Sequence, residues 1–319
     1  MKFLDTHFDD YIQTSNIHTL HPAMKKFTSD IPNNISDLKN IVLYGPCGVG
    51  KYTQMLRLIK KYSPSELKYE KKMTVTYNKV NYYFKISDIH FEIDMALLGC
   101  NAKLLWNDIF TNIIDVLSAR INKHGIIVCK NFHKIHPELL DCFYSYIQKN
   151  NNSINIIYIL ITEHISFIPD NIINTFHIAS LNRPCKASYN KIINKKLTSK
   201  DDVSTIYNIK NILTNTESFN KNINNYTEIL YKFVIDESNI KYLFFRNVLY
   251  DLLIYDMEIG YVIWKLINKI ISNHELSSEN IVKTYTSTYS FLQYYNNNYR
   301  PIYHLENYLY TLINIIHGF

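Results

Sequence analysis

One short stretch of this 319-residue chain has the residue types and spacing to hold a phosphate. Gly45-Pro46-Cys47-Gly48-Val49-Gly50-Lys51 follows an apolar run, Ile41 to Tyr44, and opens a stretch with helical character. The glycines let backbone N–H groups curl inward around phosphate oxygens. The helix start adds partial positive charge, and Lys51 can reach β- and γ-phosphates. The candidate nucleotide-binding residues are therefore Gly45, Pro46, Cys47, Gly48, Val49, Gly50 and Lys51, followed by Tyr52 and Thr53. The chain holds only 7 glycines and three of them stand here, which argues against a plain glycine-rich turn. Cys47 sits where a helix N-terminus favours a reactive thiolate. Filling a small-residue slot is the simpler account of it.

The chemistry around the loop is incomplete. The position that should offer a Ser or Thr hydroxyl to Mg²⁺ is Tyr52, whose phenol cannot reach where a short hydroxyl would sit. Thr53 remains a candidate for contact with an α-phosphate. A hydrolytic site also needs a buried strand ending in Asp-Glu, one carboxylate for the metal and one to polarise water. The best such strand, Ile126 to Cys129, ends in Lys130-Asn131. An ammonium about 4 Å from a divalent ion is repelled by roughly 8 kcal/mol at an effective dielectric of 20, so Lys130 is no metal ligand. The rival strand, Ile156 to Ile161, ends in Thr162-Glu163 and supplies one carboxylate a place late. ATP or ADP binding without hydrolysis is expected, with no catalytic residue and no Mg²⁺ held by this chain. Lys130 is a candidate to replace part of the missing cation's charge.

Positioning such a loop takes a sheet and helices, and the patterning supplies both. Apolar β-rich runs lie at Ile41–Tyr44, Thr74–Tyr77, Tyr82–Ile86, His90–Ile93, Ile126–Cys129 and Ile156–Ile161. Runs without polar alternation suit parallel strands buried on both faces. Helical stretches separate them at Lys51–Lys61, Ala102–Asn122 and Pro137–Lys149, which makes the first half α/β. Asn78-Lys79-Val80-Asn81 joins two of the runs as a hairpin. Residues 185 to about 228 are polar and weakly helical. Helices then dominate at Tyr242–Tyr255, Glu258–Ile271, Glu279–Asn296 and Ile302–Ile316, a bundle pattern. The Asn clusters at 150–152 and 296–298 read as loops. The expected division is a core at 1–182, a small lid at 183–230 and a helical domain at 231–319.

Composition narrows the class. A 47% hydrophobic fraction excludes disorder of the whole chain, and a net charge of +6 permits nucleic-acid contact without requiring it. Five scattered cysteines without a Cys-x-x-Cys pair argue against structural zinc and fit a reducing compartment. No apolar run approaches the length of a membrane span, so a soluble intracellular protein with no membrane partner is expected. His133 and His136 are close together but lack acidic or cysteine partners, so they read as surface polar residues. The Tyr-rich stretch Tyr285–Tyr299 reads as core and interface packing ahead of base stacking. Only five of the 34 basic residues are arginines, and Lys, Asn, Ile and Tyr abound, which resembles AT-rich coding.

With loop, hairpin and helical block in place, the chain resembles a small subunit of replication factor C, the sliding-clamp loader, within the AAA+ superfamily. It is most similar to the small subunit whose own ATPase site is degenerate. That subunit's loop reads Tyr-Gly-Pro-x-Gly-x-Gly-Lys-Lys-Thr, matched by Tyr44 to Thr53 with Tyr52 in the second Lys position. Its extra hairpin and His-Leu-Glu-Val strand are matched by residues 73–87 and His90-Phe91-Glu92-Ile93. Its Ile-Tyr-His-Leu-Glu helix is matched by Ile302 to Glu306, which makes His304 a packing or interface residue.

The departures concern catalysis. Thr162 stands where relatives have a sensor Asn, and Asn174-Thr175-Phe176 where a Ser-Arg-Cys motif reaches the neighbour's ATP. No arginine lies between Arg183 and Arg246 to serve as a lid sensor. Tyr144-Ser145 replaces a basic pair that touches DNA, and the adenine-capping Lys-Tyr-Arg-Pro signature is not recognisable. The resemblance implies an AAA+ core, a lid and a collar that joins other clamp-loader subunits in a hetero-pentamer. It also implies a PCNA-like sliding clamp and primer–template DNA as partners of the assembly. Location would be the nucleus, or a cytoplasmic replication site if the source is viral. A divergent active P-loop NTPase and a non-replicative DNA- or protein-binding adaptor are the alternatives.

Overall fold

A computed structural model describes residues 7–17, 20–149, 154–193, 219–236, 242–255, 257–273, 276–295 and 300–318. The chain divides into two compact units, Met1–Leu213 and Thr214–Phe319. Residues 194–218 of the expected lid, and the Asn clusters at 150–152 and 296–298, lie outside the described residues.

The first unit is built on a seven-stranded sheet. Its strands are β1 (Asn40–Tyr44), β2 (Lys71–Tyr77), β3 (Val80–Ile86), β4 (His90–Asp94), β5 (His124–Lys130), β6 (Asn155–Thr162) and β7 (Phe176–Ser180). They lie in the order β2-β3-β4-β5-β6-β1-β7. β4, β5, β6, β1 and β7 run parallel, and the β2–β3 hairpin joins antiparallel. The helices are α1 (Phe8–Ile17), α2 (Pro22–Asp30), α3 (Lys51–Lys60), α4 (Ala102–Ser118), α5 (Pro137–Gln148), α6 (Asp170–Ile173) and α7 (Lys186–Ile193). This is the expected parallel sheet with flanking helices. It adds two N-terminal helices and β7, which are short or only weakly patterned in the sequence.

Apolar residues on both faces of the central strands explain the two layers. Ile127 and Cys129 of β5 point into one core with α4 and α5, while Ile126 and Val128 point into the other with α1 and α3. Alternation of side chains along a strand produces this split. On α4, Leu105, Trp106, Ile109, Phe110, Ile113 and Leu117 recur at helical spacing and are all buried. Each such side chain contributes about 1.5–3 kcal/mol when fully removed from water. The hairpin turn is tighter than expected. Asn78 and Lys79 alone form it, both with positive φ (47° and 64°), and Tyr77 pairs with Val80. A two-residue turn with both residues left-handed matches the twist of the strands it joins.

The second unit is all helical: α8 (Phe219–Ile235), α9 (Tyr242–Ile254), α10 (Ile259–Asn273), α11 (Ser278–Tyr295) and α12 (Pro301–His317). α8 crosses residue 230, where the lid was expected to end, and gives Leu230, Phe233 and Val234 to this unit's core. The Tyr-rich stretch divides between two faces of its helix. Thr284, Thr288 and Phe291 face the core of the unit, while Tyr285, Tyr289 and Tyr294 are exposed. Phe291 stacks on Tyr308 at 4.4 Å, and the Thr288 and Tyr308 hydroxyls meet at 2.8 Å. His304 is exposed on α12. No described helix is long and apolar enough to cross a membrane.

Candidate nucleotide-binding site

The loop between β1 and α3 takes the shape its glycines allow. A Cβ on Gly45 would lie 2.2 Å from the Leu181 carbonyl oxygen, so only glycine fits where the loop passes the end of β7. Gly50 caps α3 with φ at 91°, a conformation costly for any residue with a side chain. The Gly45 N–H donates to the Thr162 carbonyl at 3.3 Å, which pins the loop to the end of β6. Val49 is fully buried, and its carbonyl lies 2.6 Å from Nε2 of the buried His21, just before α2. Arg183 donates to the Cys47 carbonyl at 3.3 Å. Pro46 is exposed, Cys47, Gly48 and Thr53 are half-buried, and Thr53 lies one step beyond Tyr52 on α3.

Lys51 is turned into its own loop. Its Nζ donates to the Gly45 carbonyl at 2.6 Å and the Pro46 carbonyl at 2.9 Å, and the Glu163 carboxylate lies 3.9 Å away. Burial pulls the Lys51 ammonium below its ordinary range, against the opposing pull of Glu163. Glu163 follows β6, the strand beside β1, so the rival strand of the sequence reading delivers its carboxylate to the loop. The Glu163 N–H donates to Nδ1 of His133 at 3.4 Å. His133 is thus half-buried beside the loop rather than a surface residue, and burial lowers its pKa.

The metal side of the loop is filled by a polar network. The Tyr52 hydroxyl donates to Glu92 Oε1 at 2.7 Å. His90 Nε2 lies 3.3 Å from the same oxygen, and Lys130 Nζ lies 3.3 Å from Oε2. The Glu92 side chain is wholly buried. Burial alone would raise its carboxyl, but the His90 hydrogen bond, the Lys130 charge and the Tyr52 hydroxyl hold it below the usual carboxylate range. Burial, then Glu92, pushes the Tyr52 phenol far above its ordinary value. Lys130 also lies over the Tyr52 ring at 5.6 Å, so it meets both Glu92 and the first turn of α3. Asn131 donates to both oxygens of Asp94 at 3.0 and 3.1 Å.

The residues present fit a phosphate and do not fit a divalent ion. The Gly45 and Gly50 geometry makes a cradle, and Lys51 and Arg183 lie against it. On the metal side stand a phenol, an ammonium and the Glu92 carboxylate that both already hold. Among the described residues no cluster of three His, Cys, Asp or Glu could hold a metal. The other positions tied to catalysis serve local structure. The Thr162 hydroxyl donates to the His164 carbonyl at 2.7 Å, and the Thr175 hydroxyl to the Ile172 carbonyl at 2.8 Å. Cys47 is no low-pKa thiol: burial, then Glu163, raises it.

Sequence reading missed Glu92 as the centre of this network, Glu163 as the partner of Lys51, and His21 and Arg183 beside the loop. A signal existed for Glu92, a carboxylate within an otherwise apolar strand. His21 and Arg183 lie 24 or more positions from any loop residue and carried none.

No protein-family profile matches the chain, and no curated protein sequence matches it. Solved structures give loose similarities. A DNA polymerase III gamma subunit-related protein from Thermotoga maritima is 12% identical, with a TM-score of 0.41 over 92% of this chain and 98% of that one. The Thermotoga maritima RuvB Holliday junction branch migration motor is 13% identical, with a TM-score of 0.38 over 88% and 85%. PCH-2 of C. elegans is 9% identical, with a TM-score of 0.38 over 58% and 49%.

Proposed function

We propose that this chain is a catalytically silent AAA+ subunit of a replication factor C-like clamp loader. It holds ATP or ADP through its loop without hydrolysing it. Its helical C-terminal unit serves as the collar that joins other subunits, and the assembly acts on a sliding clamp and primer–template DNA. One observation carries the silent reading. Tyr52, Glu92 and Lys130 are bound to one another on the side of the loop where a metal hydroxyl ligand and acidic residues belong. Release of Glu92 by Tyr52 would remove one of three donors from a buried carboxylate, and Asn131 has no basicity with which to activate water.

The loop can still take a phosphate once Lys51 exchanges its two loop carbonyls for phosphate oxygens. Isothermal titration should give ADP and ATP affinities that are the same with and without Mg²⁺, and Lys51→Ala should abolish binding. A coupled assay should find no ATP turnover by the isolated chain. Turnover that disappears in Lys51→Ala would replace this reading with an active P-loop NTPase. Purification from the native source should return a stoichiometric complex with further AAA+ subunits and a sliding clamp. Recovery without them would favour an adaptor.

A further inference from the structure

We propose that Glu163 is an electrostatic gate on the phosphate loop, whose carboxylate occupies Lys51 and lowers the affinity of the site for polyphosphates. The inference rests on the nucleotide-binding reading above and adds a residue that regulates the same site. An ammonium has three N–H donors. Two of those of Lys51 are spent on the Gly45 and Pro46 carbonyls, and Glu163 Oε1 lies 3.9 Å away as the counter-charge. The Lys51 side chain is only 10% exposed, so its charge is matched from within the chain. An incoming phosphate must take Lys51 from the loop carbonyls and then share the site with a second anion.

The fold holds Glu163 in place from two sides. β6 pairs with β1 so that Thr162 lies opposite Tyr44, which brings the next residue out at the level of the loop. The Glu163 N–H is anchored on His133. The Glu163 side chain is 29% exposed, so the backbone fixes its position while an amide can replace the carboxylate with little loss of packing.

Titrations of Mg²⁺-free ADP and of inorganic pyrophosphate into the full chain, Glu163→Gln and Glu163→Asp test the gate. Glu163→Gln should bind both ligands about tenfold more tightly, and the gain should shrink as salt is raised. Glu163→Asp, which keeps the charge, should stay near the parent affinity. Thermal melts establish that each variant is folded, and Glu163→Ser repeats the test if the amide is not. Unchanged or weaker ADP binding by a folded Glu163→Gln, with binding still lost in Lys51→Ala, overturns the gate and leaves the nucleotide reading standing. Absence of ADP and pyrophosphate binding in parent and Glu163→Gln alike overturns both.

Discussion

A carboxylate with no solvent contact, as in Glu92, persists in its charged form only if donors meet its oxygens. Tyr52, His90 and Lys130 are those donors, and they come from α3, β4 and β5. The network therefore ties the loop helix to the sheet. Tyr52→Phe removes one hydrogen bond to a buried charge and should cost about 1.5–3 kcal/mol in urea unfolding. The Glu92 carboxyl lies lower in the folded chain than its unfolded value of about 4.3. Its contribution is complete above that value and is lost as pH falls through the folded value. Stability should thus fall on acidification below about pH 5, and Glu92→Gln should flatten that fall. Equal acid slopes in the two proteins would refute the assignment. Lys130 and Tyr52 were legible in the sequence as departures from a catalytic pattern. That the two meet on a third residue, Glu92, was not legible, because the contacts join positions about 40 apart.

At the scale of elements, burial on α11 decides which residues of an aromatic stretch face the core. Tyrosine's ring suits a core and its hydroxyl suits water, so residue type alone leaves the face of the helix open. The helix turns Thr284, Thr288 and Phe291 inward and leaves Tyr285, Tyr289 and Tyr294 exposed. Phe291→Ala should cost about 3 kcal/mol in chemical denaturation, with the loss of its stack on Tyr308. Tyr289→Ala should stay within about 0.5 kcal/mol. Comparable losses at both positions would contradict the assigned face. The core strands, by contrast, were legible at once. Uninterrupted apolar runs such as Ile156–Ile161 suit strands buried on both faces, as in a parallel sheet. β7 escaped notice because His177 and Ile178 are exposed and only Phe176 and Ala179 are buried. The N-terminal helices escaped because α1 mixes its few apolar residues with Asp, Gln, Thr, Ser and Asn.

For the whole molecule, each unit has its own apolar core and each contains one of the two tryptophans. Trp106 is buried in the first, and Trp264 is partly exposed in the second. Leu309→Ala should create a cavity in the helical unit costing about 2–5 kcal/mol. Its unfolding should be reported by Trp264 fluorescence in a Trp106→Phe background at lower denaturant than Trp106 reports in a Trp264→Phe background. Coincident shifts of both reporters would show that the two cores unfold as one. The sequence by itself determined the α/β-then-helical order and the position of the phosphate loop. It also determined that the strand Ile126–Cys129 ends in Lys130-Asn131 rather than in two carboxylates, since these follow from local periodicity, glycine placement and residue identity. Only the tertiary structure decided that Lys51 is bound within its own loop, that Glu163 opposes it, and that Tyr52 and Lys130 converge on Glu92. Those contacts depend on the strand order β4-β5-β6-β1, and lateral strand order leaves no trace in the spacing of residues along a chain.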